Sequence, residues 1–211
     1  YYHSLSFFYS PPEFERQVEM HRDLIWKLFG VRPQVFRNTE LSYRNDLAYW
    51  AEDKGYKGIL AEGWDHVLGW RSPNFVYRPV GTTRLKLLLK NYKLSDDVAF
   101  RFSSRDWAEW PLTAEKFAQW IGAVNGNGET VNLFMDYETF GEHQWEDTGI
   151  FHFLRKLPEE ILKHPDNNFK TPSEVLKSYP VRGELDVPYI LTWADLERDL
   201  TAWVGNPMQH A

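Results

Sequence analysis

Residues 33–63 read PQVFRNTELSYRNDLAYWAEDKGYKGILAEG, and strand-like and helix-like patterns alternate within them. Pro33 to Leu41 holds a short β-prone run that gives way to Arg37, Asn38 and Glu40. A helix is predicted from Asn45, a good N-cap, to about Lys54, and Gly55 stops it because glycine takes the left-handed turn at little cost. Lys57-Gly-Ile-Leu-Ala-Glu-Gly63 is then a second strand ending on a carboxylate, Glu62. Strand, polar end, helix, strand, polar end is the grammar of an α/β protein with a parallel sheet or barrel. In such folds the functional groups come from the C-terminal ends of several strands.

Working outward, Tyr1 to Tyr9 is aromatic and β-prone and reads as the end of a strand. Ser10 is expected to cap a helix that Gly30 closes, with Phe14, Val18, His21, Ile25 and Leu28 as its inner face. Beyond Glu62, the loop Gly63 to Pro73 is dense in polar and aromatic groups, as functional loops usually are. Phe75–Val80 looks extended, and Leu85–Leu89 is a strand or a helical turn. Val98-Ala-Phe-Arg-Phe-Ser103 reads as a strand, Thr113 as the cap of a helix reaching about Val124, and Val131–Met135 as a buried strand. Thr148–His164 is helical in pattern with an interruption at Pro158, and Thr171 opens another short helix. Trp193 to Trp203 is an amphipathic helix start. No repeat, low-complexity tract or linker divides residues 1–211, which read as one domain.

The strand at 131–135 runs into Asp136, Tyr137, Glu138, Glu142 and His143. Glu62 and Asp136 form the best catalytic pair, since each follows an apolar strand and precedes polar, aromatic residues. Two carboxyl groups on neighbouring strand ends can flank a glycosidic bond, one attacking the anomeric carbon and the other protonating the leaving oxygen. The acid must stay protonated near neutral pH, through burial or a nearby negative charge such as Glu138 or Glu142. The plainer alternative is that these acids cap helices or face water. Aromatic side chains are abundant, at ten Trp, eleven Tyr and fourteen Phe, and Trp64, Trp70, Trp107, Trp110 and Trp145 sit among polar residues, where rings stack on sugars or pack a large core.

A net charge of -6 argues against nucleic acid or an anionic membrane as the main partner. The chain holds no cysteine, so disulfide and thiolate chemistry are excluded. No run approaches the roughly 18 apolar residues of a spanning helix, and a cytoplasmic protein is expected. Because the chain opens at Tyr1 with no leader, it is expected to be a piece of something longer.

Glu62-Gly-Trp-Asp-His-Val-Leu-Gly-Trp-Arg-Ser-Pro73 and Met135-Asp-Tyr-Glu-Thr-Phe-Gly-Glu-His-Gln144 resemble glycoside hydrolase family 57, in its branch of α-amylases and related α-glucan enzymes such as 4-α-glucanotransferases. Arg37-Asn-Thr-Glu-Leu41, Tyr1-Tyr-His-Ser-Leu5 and Ala194-Asp-Leu-Glu-Arg-Asp-Leu-Thr-Ala-Trp203 look like the same branch. The resemblance implies an incomplete, seven-stranded (β/α) barrel that works by the retaining mechanism on α-1,4-glucans or maltooligosaccharides, with no metal or other cofactor. It implies Glu62 as nucleophile and Asp136 as acid/base, with Trp64, Asp65, His66, Trp70, Arg71, Glu138 and His143 lining the sugar sites, and also Glu40 and His3. The family's His-Gln-Pro motif on the first strand is absent, as is its C-terminal helical region. The expectation is therefore a partial barrel whose open sheet edge favours aggregation and leaves the isolated residues inactive.

Two rivals remain. A metal-dependent carbohydrate deacetylase needs clustered His and Asp ligands, and the seven His offer no His-x-x-x-His. A non-catalytic carbohydrate-binding relative would keep the barrel without turnover. Hydrolysis and glucan transfer are not separated by the sequence, and oligomeric state is unknown.

Overall fold

A computed structural model describes residues 5–210. In chain order the elements are helices α1 (Ser6–Tyr9) and α2 (Pro11–Phe29), strand β1 (Val35–Phe36), a 3-10 turn (Thr39–Leu41), α3 (Asn45–Asp53), β2 (Gly58–Glu62), α4 (Asp65–Leu68), β3 (Arg78–Pro79), β4 (Lys86–Lys90) and α5 (Tyr92–Ala99). There follow α6 (Ala114–Gly122), 3-10 turns at Tyr137–Thr139 and Glu146–Thr148, α7 (Ile150–Leu162), α8 (Pro172–Ser178), β5 (Glu184–Leu185), α9 (Thr201–Val204) and α10 (Pro207–His210). Two compact units interleave along the chain. One takes the residues up to Glu62, Val76–Leu88 and the chain from Pro172 onward; the other takes Gly63–Phe75 and Leu89–Thr171. Among the described residues no helix is long and apolar enough to cross a membrane.

In the first unit β2 is the middle strand of a sheet ordered β1-β2-β4. β1 pairs parallel to it, Val35 opposite Gly58 and Phe36 opposite Ile59. β2 is buried at four of its five positions, as its continuous apolar run requires of a strand covered on both faces. At Gly58 a Cβ would stand 2.6 Å from Leu176 Cδ1, so α8 packs where a side chain is missing. A second, two-stranded parallel sheet joins β3 to β5, Arg78 opposite Glu184. The core gathers Val76, Leu88, Val175 and Leu176, with Val35, Leu60 and Tyr179 against it. A second cluster of edge-on and tilted rings joins Phe14, Phe36, Trp50 and Tyr56, with centroids 4.8 to 6.0 Å apart, spacings at which aromatic pairs attract beyond their burial.

Several local expectations change here. Residues 6–9 form a helical turn instead of a strand end. Of the expected inner face of α2, Phe14 is buried, with Gln17 beside it; Val18 and Ile25 are half-buried, His21 lines the same cavity as Phe14 and Val18, and Leu28 is exposed; α2 does end at Gly30, in the left-handed conformation. Ser10 stands at the N-cap without a side-chain capping bond. Asn45 is the first helical residue of α3, not its cap, and its side chain is drawn to β5's exit, where Oδ1 accepts from Val187 N at 3.0 Å and Nδ2 donates to Asp186 Oδ1 at 2.6 Å. Gly55 follows α3 at φ 84, as expected.

In the second unit α6 packs along α7, and their apolar faces close on α5 through Val98, Phe102, Leu112, Phe117, Ile150, Phe153, Leu157 and Ile161. Thr113 caps α6 as predicted, its Oγ1 accepting from Lys116 N at 3.2 Å. α7 runs unbroken through Pro158; the carbonyl that a proline leaves without a donor belongs to Leu154, a residue on the exposed face of the helix. The stretch expected as a strand at 98–103 is instead the end of α5 and the turn after it. Asn91 starts that helix, its Oδ1 accepting from Leu94 N at 3.1 Å, and Leu94 and Val98 then share one face. Val131–Met135 is half-buried and carries no strand ladder. It runs beside the start of α5, where Asn132 O accepts from Asn91 N at 2.9 Å and Phe134 N donates to Ser95 Oγ at 3.1 Å.

Candidate active site

Glu62 is the last residue of β2, and its side chain is fully buried. Arg198 Nη1 donates to Glu62 Oε2 at 2.7 Å, and the arginine side chain is itself 10% exposed. A carboxylate out of water is costly unless an opposite charge and further hydrogen bonds accompany it. The chain delivers that charge from 136 positions away. Leu191 exchanges backbone hydrogen bonds with Tyr43 at 2.8 and 2.9 Å. The backbone then bends left-handed at Asp195 (φ 51) and at Arg198 (φ 53). Buried Thr192 ties the bend shut: its N–H donates to Arg198 O at 2.8 Å and its Oγ1 to Asp199 O at 3.0 Å. Two non-glycine residues at positive φ cost on the order of 1 kcal/mol each, and they explain why the helix expected over 193–203 reduces to α9.

The same tail holds Glu40. This glutamate sits at φ 57 in the 3-10 turn after β1. Its Oε2 accepts from Trp193 Nε1 at 2.7 Å and its carbonyl from Trp193 N at 3.1 Å. His3 lies outside the described residues.

The other expected site residues belong to the second unit. Gly63 opens it, and a Cβ there would fall 2.1 Å from the carbonyl oxygen of Lys90, so no other residue fits without moving backbone. Trp64 and His66 stack at 5.0 Å in a tilted pair. Asp65 Oδ2 accepts from Tyr92 Oη at 3.0 Å and pairs with Lys93 Nζ at 2.7 Å. That hydrogen bond raises the Lys93 ammonium above its ordinary value against a smaller opposing effect of burial. Trp70 is 89% exposed, and the Arg71 guanidinium lies 5.1 Å over its ring. Asp136 is exposed and leads into the 3-10 turn, its carbonyl accepting from Thr139 N at 3.2 Å. Glu138 takes Glu142 N and His143 N on its carbonyl at 3.1 and 2.9 Å, so this motif folds onto its own backbone. Beneath it Gln144 is buried and donates to Ala99 O at 3.0 Å. Glu138, Glu142 and His143 are exposed.

Three groups escape a reading by sequence. Arg198 and Trp193 sit in a tail whose pattern suggests a helix, and nothing local marks them as partners of Glu62 and Glu40. Lys90 is buried at the end of β4 and paired with Asp96 at 3.3 Å; a lysine closing the apolar run Leu87-Leu-Leu89 was the available signal. Among the described residues no group of three or more His, Cys, Asp or Glu could hold a metal ion.

The chain's relatives agree with its motifs. The family described as Glycosyl hydrolase family 57 matches residues 1–188. A protein of Methanocaldococcus jannaschii named "Putative alpha-amylase" is 52% identical over 213 residues, which take in 99% of this chain and 44% of that protein. The chain thus spans less than half the length of that relative. Among solved structures, a branching enzyme of family 57 from Thermococcus kodakaraensis superposes with a TM-score of 0.67 at 14% identity, over 92% of this chain and 48% of that one. The 4-α-glucanotransferase of Thermococcus litoralis gives 0.64 at 19% identity, over 83% and 27%. An exo-type maltose-forming amylase of Pyrococcus sp. ST04 gives 0.59 at 14%, over 87% and 34%. At those identities the likeness speaks to the α/β fold, while the family match and the 52% relative speak to descent. The chain belongs to glycosyl hydrolase family 57.

Proposed function

We propose that this chain carries the catalytic carboxylates of a retaining enzyme acting on α-1,4-glucans, as an α-amylase or a 4-α-glucanotransferase, within an incomplete (β/α)7 barrel. The observation that carries the reading is Glu62: a carboxylate at the C-terminal end of a central strand, buried and ion-paired to Arg198, in a chain that belongs to this family. A strand end with a charged acid withdrawn from water is where a nucleophile can be held in one orientation.

In this reading Glu62 attacks the anomeric carbon while Asp136 gives its proton to the leaving glycosidic oxygen. Asp136 then takes a proton from the water or sugar hydroxyl that resolves the glycosyl-enzyme. Retention requires the two carboxyl groups about 5–5.5 Å apart around the bound sugar. Water as acceptor gives hydrolysis; a maltooligosaccharide hydroxyl gives transfer. Trp64, with His66 stacked on it, and the exposed ring of Trp70 are apolar faces suited to glucose units. Asp65, Arg71, Glu138, His143, Glu40 and His3 complete the proposed sugar contacts. The partner is an α-glucan, and the reading needs no cofactor.

The test is to incubate the intact protein and its Glu62→Gln and Asp136→Asn variants with maltoheptaose and to separate the products. Shorter oligosaccharides alone mean hydrolysis, and longer with shorter ones mean transfer. Both variants should lose at least about 1,000-fold in turnover, as loss of a nucleophile or of the acid demands. Wild-type turnover by Glu62→Gln would remove Glu62 from the mechanism.

A further inference from the structure

We propose that Arg198 is a positioning residue for the reaction, holding the Glu62 carboxylate in its ionised form and in a single orientation. The proposal rests on Glu62 being the nucleophile. Its own support is the built site: a 2.7 Å bond from Nη1 to Oε2 between side chains that are 10% and 0% exposed. The arginine does not reach that place by the easiest backbone path. Arg198 and Asp195 adopt positive φ, and buried Thr192 spends both its N–H and its hydroxyl on the carbonyls of Arg198 and Asp199. A surface arginine needs no such frame. A frame of this kind suits a guanidinium whose direction matters.

Among the charges on the elements around β2, α8 brings Glu174 and Lys177, α3 ends on Asp53 and Arg37 follows β1. On the elements packed against β2, Glu40 is held by Trp193, Asp46 pairs with Arg44, Glu52 accepts from backbone N–H groups and Lys86 donates to backbone carbonyls. Asp195, Glu197 and Asp199 flank Arg198 on its own segment. Arg198 is ion-paired to the carboxylate. During attack, an oxygen pinned by one N–H leaves the carboxylate unable to rotate, so the second oxygen meets the anomeric carbon along one line. When the glycosyl ester forms, the negative charge leaves Glu62, and the guanidinium then favours the leaving of the sugar by stabilising the returning carboxylate.

The experiment uses the intact protein, with maltoheptaose as substrate and the variants Arg198→Met, Arg198→Lys and Glu62→Gln, each checked by thermal melting. Arg198→Met is expected to lose about 100-fold in kcat with KM changed less than about 3-fold, because the loss falls on orientation and not on sugar binding. The acid limb of its kcat profile should move up by about one pH unit, since a buried carboxylate without its cation ionises less readily. Guanidinium ion added at millimolar concentration should restore part of the rate, and Arg198→Lys should fall between the two. If Arg198→Met melts too low to assay, the pH profile of Arg198→Lys decides. An unmoved acid limb with no rescue, or kcat within about 3-fold of wild type, overturns the proposal while Glu62→Gln stays inactive. Activity in Glu62→Gln instead removes the nucleophile reading on which the proposal stands.

Discussion

Glu52 shows how a single carboxylate can organise a turn. It stands near the end of α3, and its Oε1 accepts from Thr83 N, Arg84 N and Leu85 N at 3.0, 2.6 and 2.9 Å, which fixes the entry to β4. Burial pushes its carboxyl up, but the backbone N–H groups of Arg84, Leu85 and Thr83, with the charge of Arg84, outweigh burial and hold it below the ordinary range. A group whose folded value is depressed contributes stability that is fully present above its unfolded value of about 4.3 and is lost as pH falls through the lowered value. Glu52→Gln should therefore cost about 1–2 kcal/mol at pH 7, and its urea midpoint should fall less than that of wild type between pH 5 and acid, where the two curves converge. Parallel curves across that range would mean the turn does not depend on the charge.

At the scale of elements, helix starts in this chain divide by whether their cap is local. Thr113 Oγ1 reaches Lys116 N three residues on, and both ends of that bond are written in one tetrapeptide. Thr113→Ala should cost about 1 kcal/mol in chemical denaturation while Thr113→Ser costs little; equal stability of the two variants would show the bond to be idle. Asn45 is the contrary case. Its amide has the chemistry of a cap, but β5's exit offers Val187 N and Asp186, and the side chain goes there. Local spacing could not have revealed a competitor more than a hundred residues away. The run Val98 to Ser103 fails as a strand for a similar reason. Val98 and Ala99 serve a helix face and Phe102 is buried in the turn after it, while Phe100 is exposed, and among the described residues no strand pairs with this run.

At the scale of the whole molecule, each compact unit has its own apolar centre. Phe117 is completely buried where α6 meets α7, with its ring 5.7 Å from Phe153 and 6.2 Å from Trp120. Phe117→Ala should lower stability by about 3–5 kcal/mol. Hydrogen exchange should quicken first in α5, α6 and α7, the elements that share this core; protection lost first in β2 instead would refute a core centred on Phe117. The α/β class, the strand that ends on Glu62, the helices closed by Gly30 and Gly55, and the family motifs were all legible in the sequence. They rest on short-range pattern: apolar runs of strand length, glycines after helices, acids after strands. What only the tertiary structure decided is which distant groups meet. The chain brings Arg198 to Glu62 and Trp193 to Glu40, turns an apparent tail helix into a bend, and leaves residues 131–135 without a ladder. A buried charge must find its counter-charge wherever the fold can supply one, and a strand exists only beside a partner. Neither condition is written in the residues next door.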